Sequence, residues 1–357
     1  MIDVFKGWKL KKTDSCSMMK KVMVSIISVI GGIVFSAIII AITGNDPIDV
    51  CSQIFSGAFG STYGLSETVA KSIPLMLTSL GVSLAFRMQL WNIGAEGQFF
   101  MGAFGASWAA LSFPNMPAYE LLPLMMIAGF IAGGLWSMVA AIPKAFLNIN
   151  ETITTLLLNY IAILWVQYLV FGPWKDPKGK NFPVSATFSE SATLTSFGNT
   201  DINIGLFIGI GIAVLMFIVL KYSRWGYEIR VSGGNKSTAI YAGMNYVRNI
   251  LIVMFISGGI AGIAGMVEVS GAIHKLQQNI SPGYGYTAVI IALLARLSPL
   301  GIVIVSFFMG GLFVGGYNLQ TSGFSLSMVL MFQGAILLFV LGSEILLKYK
   351  LVRKEAR

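Results

Sequence analysis

Charge is scarce in this chain: 11% of its residues are Asp, Glu, Lys or Arg, against about 25% in soluble domains. With 55% apolar residues and a mean hydropathy of +0.78, that scarcity excludes a water-soluble globule. It also excludes intrinsic disorder, which needs low hydrophobicity and high charge. Cysteine is nearly missing: Cys16 and Cys51 alone build no secreted disulfide scaffold. The single histidine, His274, rules out a multi-histidine zinc centre or paired-histidine acid–base chemistry. No window fits the G-x-x-x-x-G-K-[ST] loop that cradles nucleotide phosphates, so no motor and no catalytic or metal site is read here. Carboxylates are few as well. Glu96, Glu151, Glu268 and Glu344 fall near the ends of apolar runs, where snorkelling and helix-end effects accommodate them, and none is placed at mid-membrane.

What the chain has is long apolar runs. A helix crossing the hydrocarbon needs about 20 apolar residues. Ten segments reach or approach that length: 22–43, 73–86, 94–113, 121–143, 152–171, 203–220, 249–270, 286–295, 301–319 and 326–347. Segments 73–86 and 286–295 are short, and either reads as a half-helix completed by irregular backbone. The expected fold is an all-α polytopic integral membrane protein of about ten spans, some short or broken. Its charge of +9 follows the positive-inside rule. With the N-terminus inside, only Lys71, Lys175, Lys178, Lys180 and Lys275 fall outside, leaving 19 of 24 cations on the inner side. The basic termini 1–21 and 348–357 are thus expected in the cytoplasm, flanking a membrane domain 22–347. Those cations meet the anionic lipid bilayer, so nucleic acid is not a partner. Glycine is plentiful, and pairs four apart (Gly129 and Gly133, Gly258 and Gly262, Gly311 and Gly315) read as close helix packing.

Polar residues break the runs in a few places. Arg87, Trp91, Asn92, Glu96 and Gln98 lie close together. One reading is a polar site on a broken helix, with the amides of Asn92 and Gln98 binding cargo and Trp91 stacking on it. The other is structural, with Glu96 at a helix N-terminus and Arg87 snorkelling or paired with it. Asn148 and Glu151 fit a capping box, and Asn159, two turns on, is either a path residue or an interhelical hydrogen bond. Arg296 with Pro299 mirrors Arg87, and Phe-Phe-Met-Gly recurs at 99–102 and 307–310, an echo that duplication or chance would both produce. The largest outer loop, 172–202, is a docking face or a connector. The longest inner loop, 221–248, holds a short helix through Ala239 and Ala242, capped by Asn235 or Ser237 and ended by Gly243. With Ile240 and Tyr241 exposed and Ala239 facing a groove, it reads as a protein contact or as a turn lying on the membrane.

Four stretches then carry a resemblance. W-N-I-G-A-E-G-Q at 91–98 resembles the W-N-I-G-x-E-G-Q signature of bacterial ABC-importer permeases of the ribose and branched-chain amino-acid type, in their nucleoside and simple-sugar subgroup. N-E-T-I-T-T-L-L-L-N-Y-I-A at 150–162 is similar to that family's N-E-x-I-x-T-L-x-L-N-Y-I-A. Residues 229–244 resemble its coupling segment, from which Val231, Ser232 and Thr238 depart, and 281–287 with 292–301 resemble its late motif. The resemblance implies a multi-pass permease of the bacterial cytoplasmic (plasma) membrane that moves nucleosides or a related sugar by alternating access. The substrate pathway of such a permease is expected, on the polar character noted above, at Trp91, Asn92, Glu96, Gln98 and Asn159. ATPase coupling is implied at Arg230, Gly233, Asn235, Ala239, Tyr241, Ala242 and Gly243. It implies no cofactor on this chain, with ATP and Mg held by a partner. The implied partners are a second permease subunit in a heterodimer, one ATPase chain with two nucleotide-binding domains, and a substrate-binding lipoprotein. Taken without the resemblance, the same residues also suit an autonomous facilitator or an ion-coupled secondary transporter.

Overall fold

The computed structural model describes residues 2–5, 8–12, 18–179, 182–198 and 200–353. Lys6, Cys16, Lys180, Lys354 and Arg357 lie outside these residues, and so does the side chain of Glu344. Each apolar run becomes helix, because a backbone without water must satisfy its own hydrogen bonds. The helices are α1 Met18–Ile42, α2 Pro47–Phe59, α3 Thr62–Arg87, α4 Ala95–Ser112, α5 Ala118–Leu147, α6 Glu151–Phe171 and α7 Gly205–Tyr222. They continue as α8 Arg224–Gly234, α9 Lys236–Tyr241, α10 Tyr246–Glu268, α11 Tyr284–Leu294, α12 Pro299–Thr321 and α13 Leu326–Lys348. Among the described residues, seven stretches are long and apolar enough to cross a membrane: α1, α3, α5, α6, α7, α10 with its continuation to Ile273, and α12. The other three expected runs fall on α4, α11 and α13. Three short strands, β1 Ile2–Phe5, β2 Trp8–Lys12 and β3 Tyr349–Arg353, pair antiparallel in the order β1-β2-β3, a small exception to the all-α expectation.

The short segment expected at 73–86 is the C-terminal half of a 26-residue helix, α3. Glu67 and Lys71 interrupt its apolar run without interrupting the helix, Ser61 caps it, and Pro74 is carried inside it. Segment 286–295 does stay short: α11 has 11 residues, about 16 Å at 1.5 Å per residue, against a hydrocarbon core of about 30 Å.

Two compact units make up the chain. In the first, Met1–Gly57 with Gly315–Arg357, α1 packs on α13, with Gly32 against the Ile336 backbone and Gly31 under the Phe339 ring. The second, Ala58–Val314, is built on a glycine seam. Gly262 of α10 lies backbone to backbone with Gly102 of α4 and Gly129 of α5, and Gly133 meets Gly258. Any side chain on Gly262 would collide with the Gly129 carbonyl, so the expected close packing is what holds α4, α5 and α10 together.

Candidate functional site

Between the end of α3 at Arg87 and the start of α4 at Ala95, the chain turns back into the bundle. Met88 N and Gln89 N close onto Ala85 O and Phe86 O, with Gln89 left-handed at φ 61°. Residues 90–93 then run without regular structure. Two bonds to α6 measure how far they climb. Trp91 N donates to Glu151 Oε1 at 3.2 Å, and Gly97 N donates to Asn159 Oδ1 at 2.8 Å. Glu151 opens α6 and Asn159 lies two turns on, about 12 Å along the axis. The segment runs back alongside α6.

Irregular backbone at that depth must find partners in the protein, and polar side chains supply them. Asn159 Nδ2 donates to Ile93 O at 2.9 Å. Asn92 Oδ1 accepts from Gly94 N at 3.1 Å and from Gln98 Nε2 at 2.9 Å. Asn92 Nδ2 in turn donates to Gln98 Oε1 and to Ser257 Oγ, both at 3.0 Å, and Ser257 donates onward to Gly81 O on α3. Asn92, Gln98 and Asn159 are all buried. In this conformation their amides are engaged with protein. Trp91 differs from them. It is 44% exposed, with its ring 4.9 Å from that of Phe86.

Glu96 lies in the first turn of α4, the helix N-terminus that one reading gave it. It is 2% exposed, one residue before Gly97, and its Oε2 accepts from Gly285 N in the first turn of α11 at 2.6 Å. One carboxylate therefore faces the positive ends of both α4 and α11. Glu268 is buried too, 3.6 Å from Lys71 Nζ and accepting from Tyr284 Oη at 3.5 Å. Arg87 does not pair with Glu96. Its Nε and Nη2 donate to Leu297 O at 3.2 and 2.6 Å. The capping box fails as well: Asn150 caps α6, because Asn148 is already the left-handed C-cap of α5. Glu151 is thereby left to hold Trp91 N and, at 2.9 Å, Lys144.

Two residues that pattern reading passed over complete this region. Ser281 Oγ accepts from Gly283 N and Tyr284 N at the start of α11. Tyr286 Oη accepts from Asn159 Nδ2 at 3.3 Å. Their place in the late motif was the available signal.

The loop 221–248 is rigidly built. Ser223 caps α8, and buried Glu228 lies 3.6 Å from Arg224 and 3.8 Å from Arg248 and accepts from Asn249 Nδ2. Arg230 Nη1 donates to Leu220 O. Gly233 lies against the Arg87 carbonyl with no room for a β-carbon. Asn235, rather than Ser237, caps α9, accepting from Ser237 N and Thr238 N at 2.8 and 3.2 Å. Gly243 follows at φ 74°, the left-handed stop expected of it. Ile240 and Ala242 are exposed, and Tyr241 is 97% exposed. Ala239 is fully buried, a correction to the groove-facing role: the Asn235 cap fixes the helical phase and turns that methyl inward.

At the other end of this unit, the long segment after α6 is held by backbone hydrogen bonds. Ser185 N bonds Leu276 O, Phe188 N bonds His274 O, and Leu194 N bonds Ser270 O, zipping it to the turn that follows α10. His274, left-handed at φ 58° with Nδ1 3.1 Å from Ser270 O, closes that turn and is only partly exposed. Asp176, Lys178, Phe182, Thr187, Lys275 and Gln277 line an open depression of about 400 Å³ there.

Residues 64–341 match the family model described as "Branched-chain amino acid transport system / permease component". The glucose ABC transporter permease protein TsgB13 of Haloferax volcanii is 33% identical over 337 residues, covering 91% of this chain and 88% of that one. The guanosine ABC transporter permease protein NupP of Bacillus subtilis is 33% identical over 329 residues, 90% of this chain and 93% of its own. A second protein of that organism, the guanosine ABC transporter permease protein NupQ, is 24% identical over 250 residues, covering 68% of this chain and 78% of itself.

Proposed function

The chain belongs to this permease family, and from that premise we propose that it is the membrane-spanning permease subunit of an ATP-driven importer for nucleosides or a related simple sugar. The observation that carries the reading is one-third identity, along nine-tenths of the chain, to permeases named for glucose and guanosine. In this reading it is a multi-pass protein of the cytoplasmic membrane. ATP and Mg are bound by a partner ATPase with two nucleotide-binding domains, and the work enters through α9, which presents Ile240 and Tyr241 outward. NupP and NupQ of one organism both resemble this chain, which supports a second, different permease as its partner. Pairing of β2 with β3 brings the two ends of the chain together and so supports an even number of crossings, ten in our reading, with both termini inside. The depression beside Lys178 and Lys275 then faces out, where the substrate-binding lipoprotein docks. Trp91 contacts cargo, while Asn92, Glu96, Gln98 and Asn159 hold the wall it passes.

The test is uptake of labelled guanosine or glucose into vesicles. With the ATPase, second permease and lipoprotein present, uptake should require ATP, and Tyr241→Asp should abolish it by losing the ATPase from the purified complex. ATP-independent uptake by this chain alone would replace the reading with a facilitator.

A further inference from the structure

Helix α11 is anchored by side chains of other helices, because its own backbone is interrupted at both ends. Gly283 before it has φ 99°, and Arg296 and Leu297 after it are left-handed at φ 54° and 58°. Three polar anchors hold the 11-residue piece between these breaks. Glu96 takes Gly285 N at its start, Asn159 takes the Tyr286 hydroxyl on its flank, and Arg87 takes Leu297 O just past its end. Arg87 is unlike the other two because it also touches α8. Its carbonyl is pressed against Gly233 in the last turn of α8, where a β-carbon would also come within 3.1 Å of Met88 Cα. One residue therefore touches the α8–α9 loop through its backbone and the α11–α12 turn through its guanidinium.

We propose that Arg87 is a positioning residue of transport: it carries displacement of the α8–α9 loop to α11, which moves as a unit against the Glu96 anchor. This rests on the permease reading above. The Gly233–Arg87 contact is backbone on backbone, so it transmits a push with little give. A planar guanidinium with two donors on one carbonyl fixes direction as well as distance. The left-handed pair Arg296 and Leu297 supplies the hinge, since a few residues at an element's end absorb the rotation while the helix stays intact. Had α11 and α12 formed one continuous helix, the same push would have been shared with the whole of α12.

Ala288 sits on α11 and is fully buried, so a thiol there reports movement of that helix. Ala288→Cys is made with Cys16→Ser and Cys51→Ser, and the full complex is reconstituted in vesicles and treated with a small permeant maleimide. Adding MgATP should raise the labelling rate severalfold. Arg87→Ala should flatten that response and uncouple hydrolysis from uptake, and Arg87→Lys, which keeps one donor for Leu297 O, should restore part of both. Labelling that ignores ATP in a transporting complex overturns the proposal, as does an ATP response in Arg87→Ala equal to that of native Arg87. Should Arg87→Ala fail to assemble, Arg87→Lys carries the test: molecules moved per ATP must fall, and an unchanged ratio overturns it. A parent complex that neither hydrolyses ATP nor takes up nucleoside or sugar brings down the permease reading itself, a result distinct from these.

Discussion

The chain has two breaks between consecutive helices that look alike in sequence, each with an arginine and each followed within a dozen residues by Phe-Phe-Met-Gly. They are built on different physics. The α3–α4 break climbs into the bundle, and its backbone groups are met by Glu151 and Asn159 of α6 and by Asn92 of the break itself. The α11–α12 break is a compact reversal closed by its own main chain, with Leu297 N on Ala292 O at 2.8 Å and Ser298 N on Ala295 O at 3.0 Å. Its cost is two left-handed non-glycine residues, which L-amino acids adopt reluctantly. The arginines differ accordingly. Arg87 reaches across to the second break, whereas Arg296 is one of the strained residues that make it. A break that goes deep must borrow partners for its amides, whereas a break that turns back at once closes its amides on its own main chain.

That contrast can be broken by substitution. The largest effect is expected for Asn159→Leu, which leaves Gly97 N and Ile93 O buried without partners. At about 1–3 kcal/mol for each orphaned group, the thermal midpoint in detergent should drop sharply and the yield of folded protein with it. An unchanged midpoint would mean that water reaches the segment between α3 and α4. Gly97→Ala comes next. A β-carbon there would lie 2.9 Å from Asn159 Cα and Oδ1, and overpacking of this kind costs about 1–3 kcal/mol. Leu297→Gly is the smallest and has the opposite sign, because relief of left-handed strain offsets the lost side chain. Stability should hold or rise by up to about 1 kcal/mol. A clear loss there would show that the second break also depends on the packing of the Leu297 side chain.

The sequence by itself determined the class of molecule, since scarce charge and repeated apolar runs permit little else than a helical membrane protein. It also determined features whose causes are local. Asn235 caps α9 and Gly243 ends it because both act on backbone within a few residues of themselves. The glycine pairs pack helices because their spacing puts them on one face. Tertiary structure decided what depends on distant partners. Glu67 and Lys71 made α3 look like a half-helix, although Lys71 is accommodated by Glu268 nearly two hundred positions away. Glu96 was legible as a first-turn acid of α4, but its bond to Gly285 N on α11 was not. Ala239 looked exposed until the phase of α9 turned it inward. Asn92, Gln98 and Asn159 were legible as a polar set, but which groups they bond was not. The burial of the backbone between α3 and α4 decides that, because its amides and carbonyls must be met by whichever side chains lie beside them.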